Sequence, residues 1–167
     1  DIQHVDVSRG RCCEIIADLL ASYDQEMTQE NADLLLSGIL TDTIRFSTES
    51  TSDKTLKSAS YLISKGANIA KLNQLLFTQP RKIFELKAHL MSLVQVKDKL
   101  AYIIIDAKKM EELAFLAREI KGQVNIMAGV QEFEIWTILA EEDGLFEASV
   151  RSRNNTINDI AASFGGG

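Results

Sequence analysis

Leu34-Leu35-Leu36-Ser37-Gly38-Ile39-Leu40-Thr41-Asp42-Thr43-Ile44-Arg45-Phe46 runs an apolar helix straight into a carboxylate. Thr28 can cap this helix at its start, and the pattern continues through Ala32 and the leucines to about Leu40. It is apolar nearly all round, which predicts a helix inside its domain. Asp42 falls where that helix should end. A carboxylate there faces the negative end of the helix dipole, a disadvantage of about a few tenths of a kcal/mol. Burial adds to the cost unless a cation neutralises the charge. A bound metal ion would do so, and so would Arg45. From the residues alone two readings stay open: a metal ligand, or an Asp42–Arg45 pair with Thr41 and Thr43 capping a turn.

Upstream, Cys12, Ile15, Ile16, Leu19, Leu20 and Tyr23 recur at helical spacing and predict a helix over roughly 10–23. Ser8-Arg9-Gly10-Arg11 before it is a cap or a weak anion site. Downstream, Leu56, Ala59, Ser60 and Ile63 mark a third helix, started by Ser/Thr/Asp residues and stopped by Gly66. A short fourth is expected near 70–77. Pro80 suits the first turn of an amphipathic segment striped with Ile83, Phe84, Leu90, Met91 and Val94 and basic at Arg81, Lys82 and Lys87. It reads as a connector.

Beyond it the periodicity changes. Strands are expected at Leu100–Ile105, Val124–Val130, Phe133–Leu139 and Phe146–Arg151, with a helix over Lys108–Ile120 and a last one, capped by Asn155 or Thr156, through Ala161. Four strands with helices on one face make a small α/β domain. The division expected is therefore 1–78, a connector at 79–97, and 98–167.

The totals exclude several classes. The 167 residues are 46% hydrophobic and 25% charged, an ordinary globular mixture. No run approaches the roughly 20 apolar residues of a membrane helix. Cys12 and Cys13 are adjacent, which disfavours a disulfide, and His4 and His89 stand at no zinc-ligand spacing from them. A reduced, cytoplasmic protein is the simplest reading. The net charge of −6 argues against a general electrostatic grip on long nucleic acid. A short anionic substrate held by a few basic groups remains compatible with it. For that role the sequence offers Arg151 and Ser152 at the end of the last strand, and Gly165-Gly166-Gly167 after the last helix. Consecutive glycines let backbone N–H groups approach an anion, and an arginine can grip a phosphate bidentately. The plain alternative is a flexible tail beside an exposed arginine.

Together these pieces resemble the DHH phosphoesterases, in the branch of bacterial oligoribonuclease/pAp phosphatases and cyclic-di-AMP phosphodiesterases. Gly38–Phe46 is similar to that family's fourth motif, usually Gly-Ile-x-x-Asp-Thr-Gly-Arg-Phe. Thr51 to Gly66 resembles the helix that comes after it. Val5-Asp6 with Glu14-Ile15-Ile16 fits the segment after the Asp-His-His signature. Val150-Arg151-Ser152 and Phe164-Gly165-Gly166-Gly167 resemble the Arg-Ser and Gly-Gly-Gly-His motifs of the DHH-associated domain.

The resemblance implies an α/β fold: the C-terminal part of a helix-rich DHH domain, a linker helix, and a small mixed α/β substrate-binding domain. It implies a hydrolase dependent on two Mn²⁺ ions, with Asp42 a metal ligand and Arg45, Arg151, Ser152, Gly165, Gly166 and Gly167 holding substrate. The implied partner is short RNA or a small nucleotide such as 3′-phosphoadenosine 5′-phosphate, and a homodimer is compatible. The alternatives are a cyclic-di-AMP phosphodiesterase and a nucleotide-binding module without catalysis. Three departures stand out. The family's Asp-x-Asp and Asp-His-His ligands are absent from these residues, Ile44 replaces a glycine, and Gly10-Arg11 stand where two serines are common.

Overall fold

The computed structural model describes residues 12–23 and 26–166. The expectations placed on Val5, Asp6, Ser8–Arg11 and Gly167 lie outside the described residues. Two compact units divide the chain, Asp1–Thr78 and Gln79–Gly167. Both are built from α or mixed α/β structure, in keeping with the α/β class read from the sequence.

Among the described residues the first unit holds four helices: α1 (Cys12–Ser22), α2 (Gln29–Asp42), α3 (Asp53–Ser64) and α4 (Ile69–Phe77). Thr28 caps α2 as its sequence predicts, accepting a hydrogen bond from the Asn31 N–H at 3.2 Å. Ser52 opens α3 through a capping box with Thr55, and Gly66 stands just past its end at φ +101°. The helices pack around Ala17, Ala32, Leu36, Ile39, Leu40, Ala59, Leu62 and Leu72.

Three faces differ from the sequence pattern. In α1 the buried side carries Glu14 and Ala17, while Ile16, Leu19 and Tyr23 are exposed. In α3 the inner side is Thr55, Ser58, Ala59 and Leu62, leaving Leu56 and Ile63 outward. Nor is α2 buried all round, since Leu34 is 64% exposed. The physical reason is a polar seam between α1 and α3. The Thr55 hydroxyl donates to Glu14 Oε2 at 3.1 Å, and the Ser58 hydroxyl donates to Asp18 Oδ1 at 2.6 Å. Hydrogen bonds of this kind let small polar side chains take the inside and turn the large apolar ones outward.

The second unit opens with α5 (Arg81–Ser92), for which Pro80 is the residue before the first turn. Leu86 and Leu90, not Phe84 and Met91, enter the core, while Lys82 lies over the Phe115 ring at 5.7 Å. Among the described residues four strands form one sheet, in the order β1 (Gln95–Lys97), β2 (Leu100–Ile105), β3 (Ile135–Glu142) and β4 (Leu145–Ser152). β1 and β2 are antiparallel, β2 and β3 parallel, β3 and β4 antiparallel. The parallel pair sets Ala101, Ile103 and Ile105 opposite Trp136, Ile138 and Ala140, a buried face covered by Leu86, Leu90, Ala117, Ile120, Val124 and Met127. Asp143 and Gly144, both at positive φ, turn β3 into β4 in two residues.

Three expectations here are corrected. Val124–Met127 is a 3₁₀ turn, because Val124 and Met127 bury together at a spacing of three and not at alternate positions. The helix expected over 108–120 is two helices, α6 (Ala107–Leu113) and α7 (Ala117–Lys121), broken where Ala114 adopts a left-handed conformation. The last helix, α8 (Asn158–Ser163), starts without a side-chain cap, so neither Asn155 nor Thr156 serves as one. Among the described residues, no helix is long and apolar enough to cross a membrane.

Candidate functional site

Asp42 is the last residue of α2, and the backbone beyond it is unusual. Thr43 is still right-handed, but Ile44, Arg45 and Phe46 stand at φ +46°, +61° and +65°. Each such residue costs about 1–2 kcal/mol against its right-handed form, and a β-branched one is the least tolerant. Ile44 occupies the position where the family usually has glycine, the one residue that adopts this region freely.

Hydrogen bonds offset the strain. The Thr43 side chain is fully buried; its hydroxyl donates to the Ile39 carbonyl at 2.7 Å and accepts from the Phe46 N–H at 2.8 Å. The Arg45 N–H reaches the Leu40 carbonyl at 2.9 Å. The N–H groups of Ser47 and Thr48 both reach the Thr43 carbonyl, at 2.8 and 3.1 Å. The end of α2 is thereby satisfied by its own turn.

The turn separates two charges. Asp42 is exposed and makes no ion pair among the described residues. The Arg45 guanidinium lies over the Phe77 ring, 4.9 Å from its centroid, and not on the Asp42 carboxylate. Asp42 does act on Cys13. Burial first, then the Asp42 charge, then Cys12, push the Cys13 thiol above its ordinary pKa, so it stays protonated. Gly38 has a packing role one turn earlier. A Cβ on it would stand 2.3 Å from Cys13 Sγ and 3.2 Å from its Cβ, so a larger residue there forces Cys13 to shift.

A carboxylate oxygen suits a hard divalent ion, and Asp42 offers one with no competing cation among the described residues. Among those residues, however, no three His, Cys, Asp or Glu side chains gather into a metal site. Asp42 fits one ligand position of such a site.

In the second unit Arg151 pairs with Trp136 in the β3–β4 register and is exposed. Its Nη1 donates to the Val150 carbonyl at 2.8 Å, and it makes no ion pair among the described residues. The Ser152 hydroxyl donates to the Asn155 carbonyl. Two residues beyond Arg151, Arg153 has a different occupation that sequence patterning does not single out. Its guanidinium donates to the carbonyls of Ala128, Val130 and Gln131 at 3.3, 2.9 and 3.3 Å, tying down the segment after the 3₁₀ turn.

The glycines have a local task too. The Gly166 N–H donates to Ala161 O at 2.9 Å and the Gly165 N–H to Ala162 O at 3.0 Å, with Gly165 at φ +75°. This is a Schellman ending for α8. A Cβ on Gly166 would meet the Ala161 carbonyl at 3.2 Å.

No family model matches the chain. Curated relatives match it end to end. It is 29% identical over 169 residues to a probable bifunctional oligoribonuclease and PAP phosphatase NrnA of Streptococcus mutans, covering 100% of this chain and 54% of that protein. It is 32% identical over 165 residues to the bifunctional oligoribonuclease and PAP phosphatase NrnA of Mycoplasma pneumoniae, covering 98% and 50%.

The chain is similar along its whole length to oligoribonuclease/PAP phosphatases, the kind of relative its motifs lead one to expect.

It spans about half the length of the curated relatives it matches. An exopolyphosphatase-related protein of Bacteroides fragilis has a similar fold, at a TM-score of 0.81 and 22% identity over 91% of this chain and 46% of that one. Within the chain, Gly38, Thr43 and Arg153 are the residues whose roles geometry adds to the sequence motifs. Gly38 and Thr43 both stand in the fourth motif, where their types are visible but their contacts are not. Arg153 lies just past the Arg-Ser motif, and nothing in the local pattern marks it.

Proposed function

We propose that the protein to which this chain belongs is a Mn²⁺-dependent phosphoesterase of short oligoribonucleotides and of 3′-phosphoadenosine 5′-phosphate. The observation that carries the reading is Asp42: an exposed carboxylate at the unfavourable end of a helix, without a counter-charge among the described residues, on a strained turn. Strain of this kind collects where function over-determines the backbone. The names of the relatives that match the whole chain supply the substrate class.

In this reading Asp42 holds one position in a two-ion site. Bound metal supplies water activation and charge neutralisation at phosphorus. The chain's own share is to present one carboxylate and to hold the anionic substrate. Arg45, its guanidinium stacked on an aromatic ring, and Arg151, with no acid beside it among the described residues, are the groups for phosphate contact. The free thiols of Cys12 and Cys13 accord with a cytoplasmic location.

The test is Asp42→Asn in the complete protein. Turnover should fall about a thousandfold or more while the thermal midpoint holds, since volume is kept and the charge a divalent ion needs is lost. The isolated chain with added Mn²⁺ should turn over neither substrate. Unchanged activity per folded molecule in Asp42→Asn would remove Asp42 from the chemistry.

A further inference from the structure

We propose that Thr43 is a positioning residue: its buried hydroxyl locks the left-handed turn that keeps Arg45 off Asp42, leaving the carboxylate open to a divalent cation. The inference rests on the reading of Asp42 as a metal ligand and adds how the chain keeps that ligand available.

Arg45 lies three residues after Asp42. Were α2 to continue right-handed, positions 42 and 45 would be neighbours on one helix face, and an Asp–Arg pair at that spacing is favourable. Arg45 would then neutralise the carboxylate before any metal reached it. The observed turn prevents this. Ile44, Arg45 and Phe46 take positive φ in succession, which carries Arg45 away to the Phe77 ring. No glycine eases that conformation, so something must hold it.

Thr43 is the residue placed to do so. Its side chain ties the last right-handed turn to the far end of the left-handed segment, giving a hydrogen bond to Ile39 O and taking one from Phe46 N–H. Its carbonyl takes two more, from Ser47 and Thr48. It is fully buried, so the hydroxyl has no water to exchange with. Loss of that hydroxyl strands the Phe46 N–H and frees Ile44 to relax toward the right-handed region. Arg45 would swing back over Asp42. A residue that orients a metal ligand in this way typically changes metal affinity by about 10- to 100-fold when it is altered.

The experiment titrates Mn²⁺ alone into the complete protein by calorimetry, alongside thermal midpoints. Thr43→Val keeps the shape and loses the hydroxyl; Thr43→Ser keeps the hydroxyl and loses a methyl. Thr43→Val should weaken Mn²⁺ binding about tenfold or more, Thr43→Ser should stay within about twofold of the parent, and adding Arg45→Gln to Thr43→Val should restore most of the loss. Arg45→Gln alone should leave Mn²⁺ affinity as it is, because the turn already holds Arg45 away.

Two results overturn the proposal. In the first, Thr43→Val lowers the midpoint yet binds Mn²⁺ as the parent does, which makes Thr43 a helix cap and nothing more. In the second, Arg45→Gln alone tightens Mn²⁺ binding about tenfold, which places Arg45 on Asp42 despite the turn; this arm decides even where Thr43→Val fails to fold. Asp42→Asn reports separately. Undiminished Mn²⁺ binding there would remove the ligand assignment itself, whatever the Thr43 variants do.

Discussion

Helices α2 and α8 both end in left-handed backbone, and they do so at opposite cost. α8 closes on Gly165 at φ +75°, in a Schellman ending that glycine adopts without penalty. α2 closes on Ile44, Arg45 and Phe46, three residues that each disfavour the same region. The α8 ending needs nothing beyond its own backbone hydrogen bonds. The α2 ending needs a buried threonine, and it carries the charged pair on which the proposed chemistry depends. Strain sits where side chains must be aimed, and glycine sits where the chain merely has to stop.

The largest stability effect that would break this contrast lies one turn before Asp42. Gly38→Ala should destabilise the first unit by about 2 kcal/mol or more, since the new Cβ falls 2.3 Å from Cys13 Sγ. Cys13→Ala in the same chain should recover much of the loss, measured by urea unfolding. A neutral Gly38→Ala would mean that the Cys13 thiol turns aside at little cost and that Gly38 has no packing role.

Next come the two arginines around the end of β4. Arg153→Ala should cost about 1–3 kcal/mol, because three carbonyls lose a charged donor. Arg151→Ala should leave the midpoint nearly unchanged and, in the complete protein, raise KM for short substrates about tenfold. The reverse outcome would exchange their roles, and equal outcomes would erase the distinction.

The smallest effects compare the two helix endings themselves. Ile44→Gly should stabilise by about 1 kcal/mol as left-handed strain is relieved, partly offset by the added freedom of glycine in the unfolded chain. Gly165→Ala should destabilise by about the same amount. Both are read as shifts in thermal midpoint. Opposite signs sharpen the contrast, and like signs dissolve it.

Much of this is legible from the residues. Thr28 marks its helix start because a hydroxyl before an apolar run has one obvious use there. Leu100–Ile105 reads as a strand because a short apolar run ending in three isoleucines matches a strand buried at alternate positions. Asp42 stands out because a carboxylate conflicts with a helix end. The inner faces of α1 and α3 are not legible, since Glu14, Thr55 and Ser58 go inside only once their hydrogen-bond partners on another helix are in place. Val124–Val130 misleads because Val124, Ile126, Ala128 and Val130 fit a spacing of two as well as Val124, Met127 and Val130 fit one of three. β1 leaves no trace because all three of its residues are exposed and only pairing with β2 defines it. In the candidate site, the separation of Arg45 from Asp42 is hidden for a related reason. Three successive positive φ angles are written in no residue preference; they depend on the hydrogen bonds of Thr43.

Each unit has an apolar cluster of its own, one around Leu36 and Leu40, the other around Ile103 and Ile138. A chain with two such cores does not owe the experimenter a single transition. A van't Hoff enthalpy taken from one melting curve then describes the core whose probe was followed. Trp136, the one tryptophan, lies in the second cluster, so its fluorescence reports directly on the packing around Ile103 and Ile138.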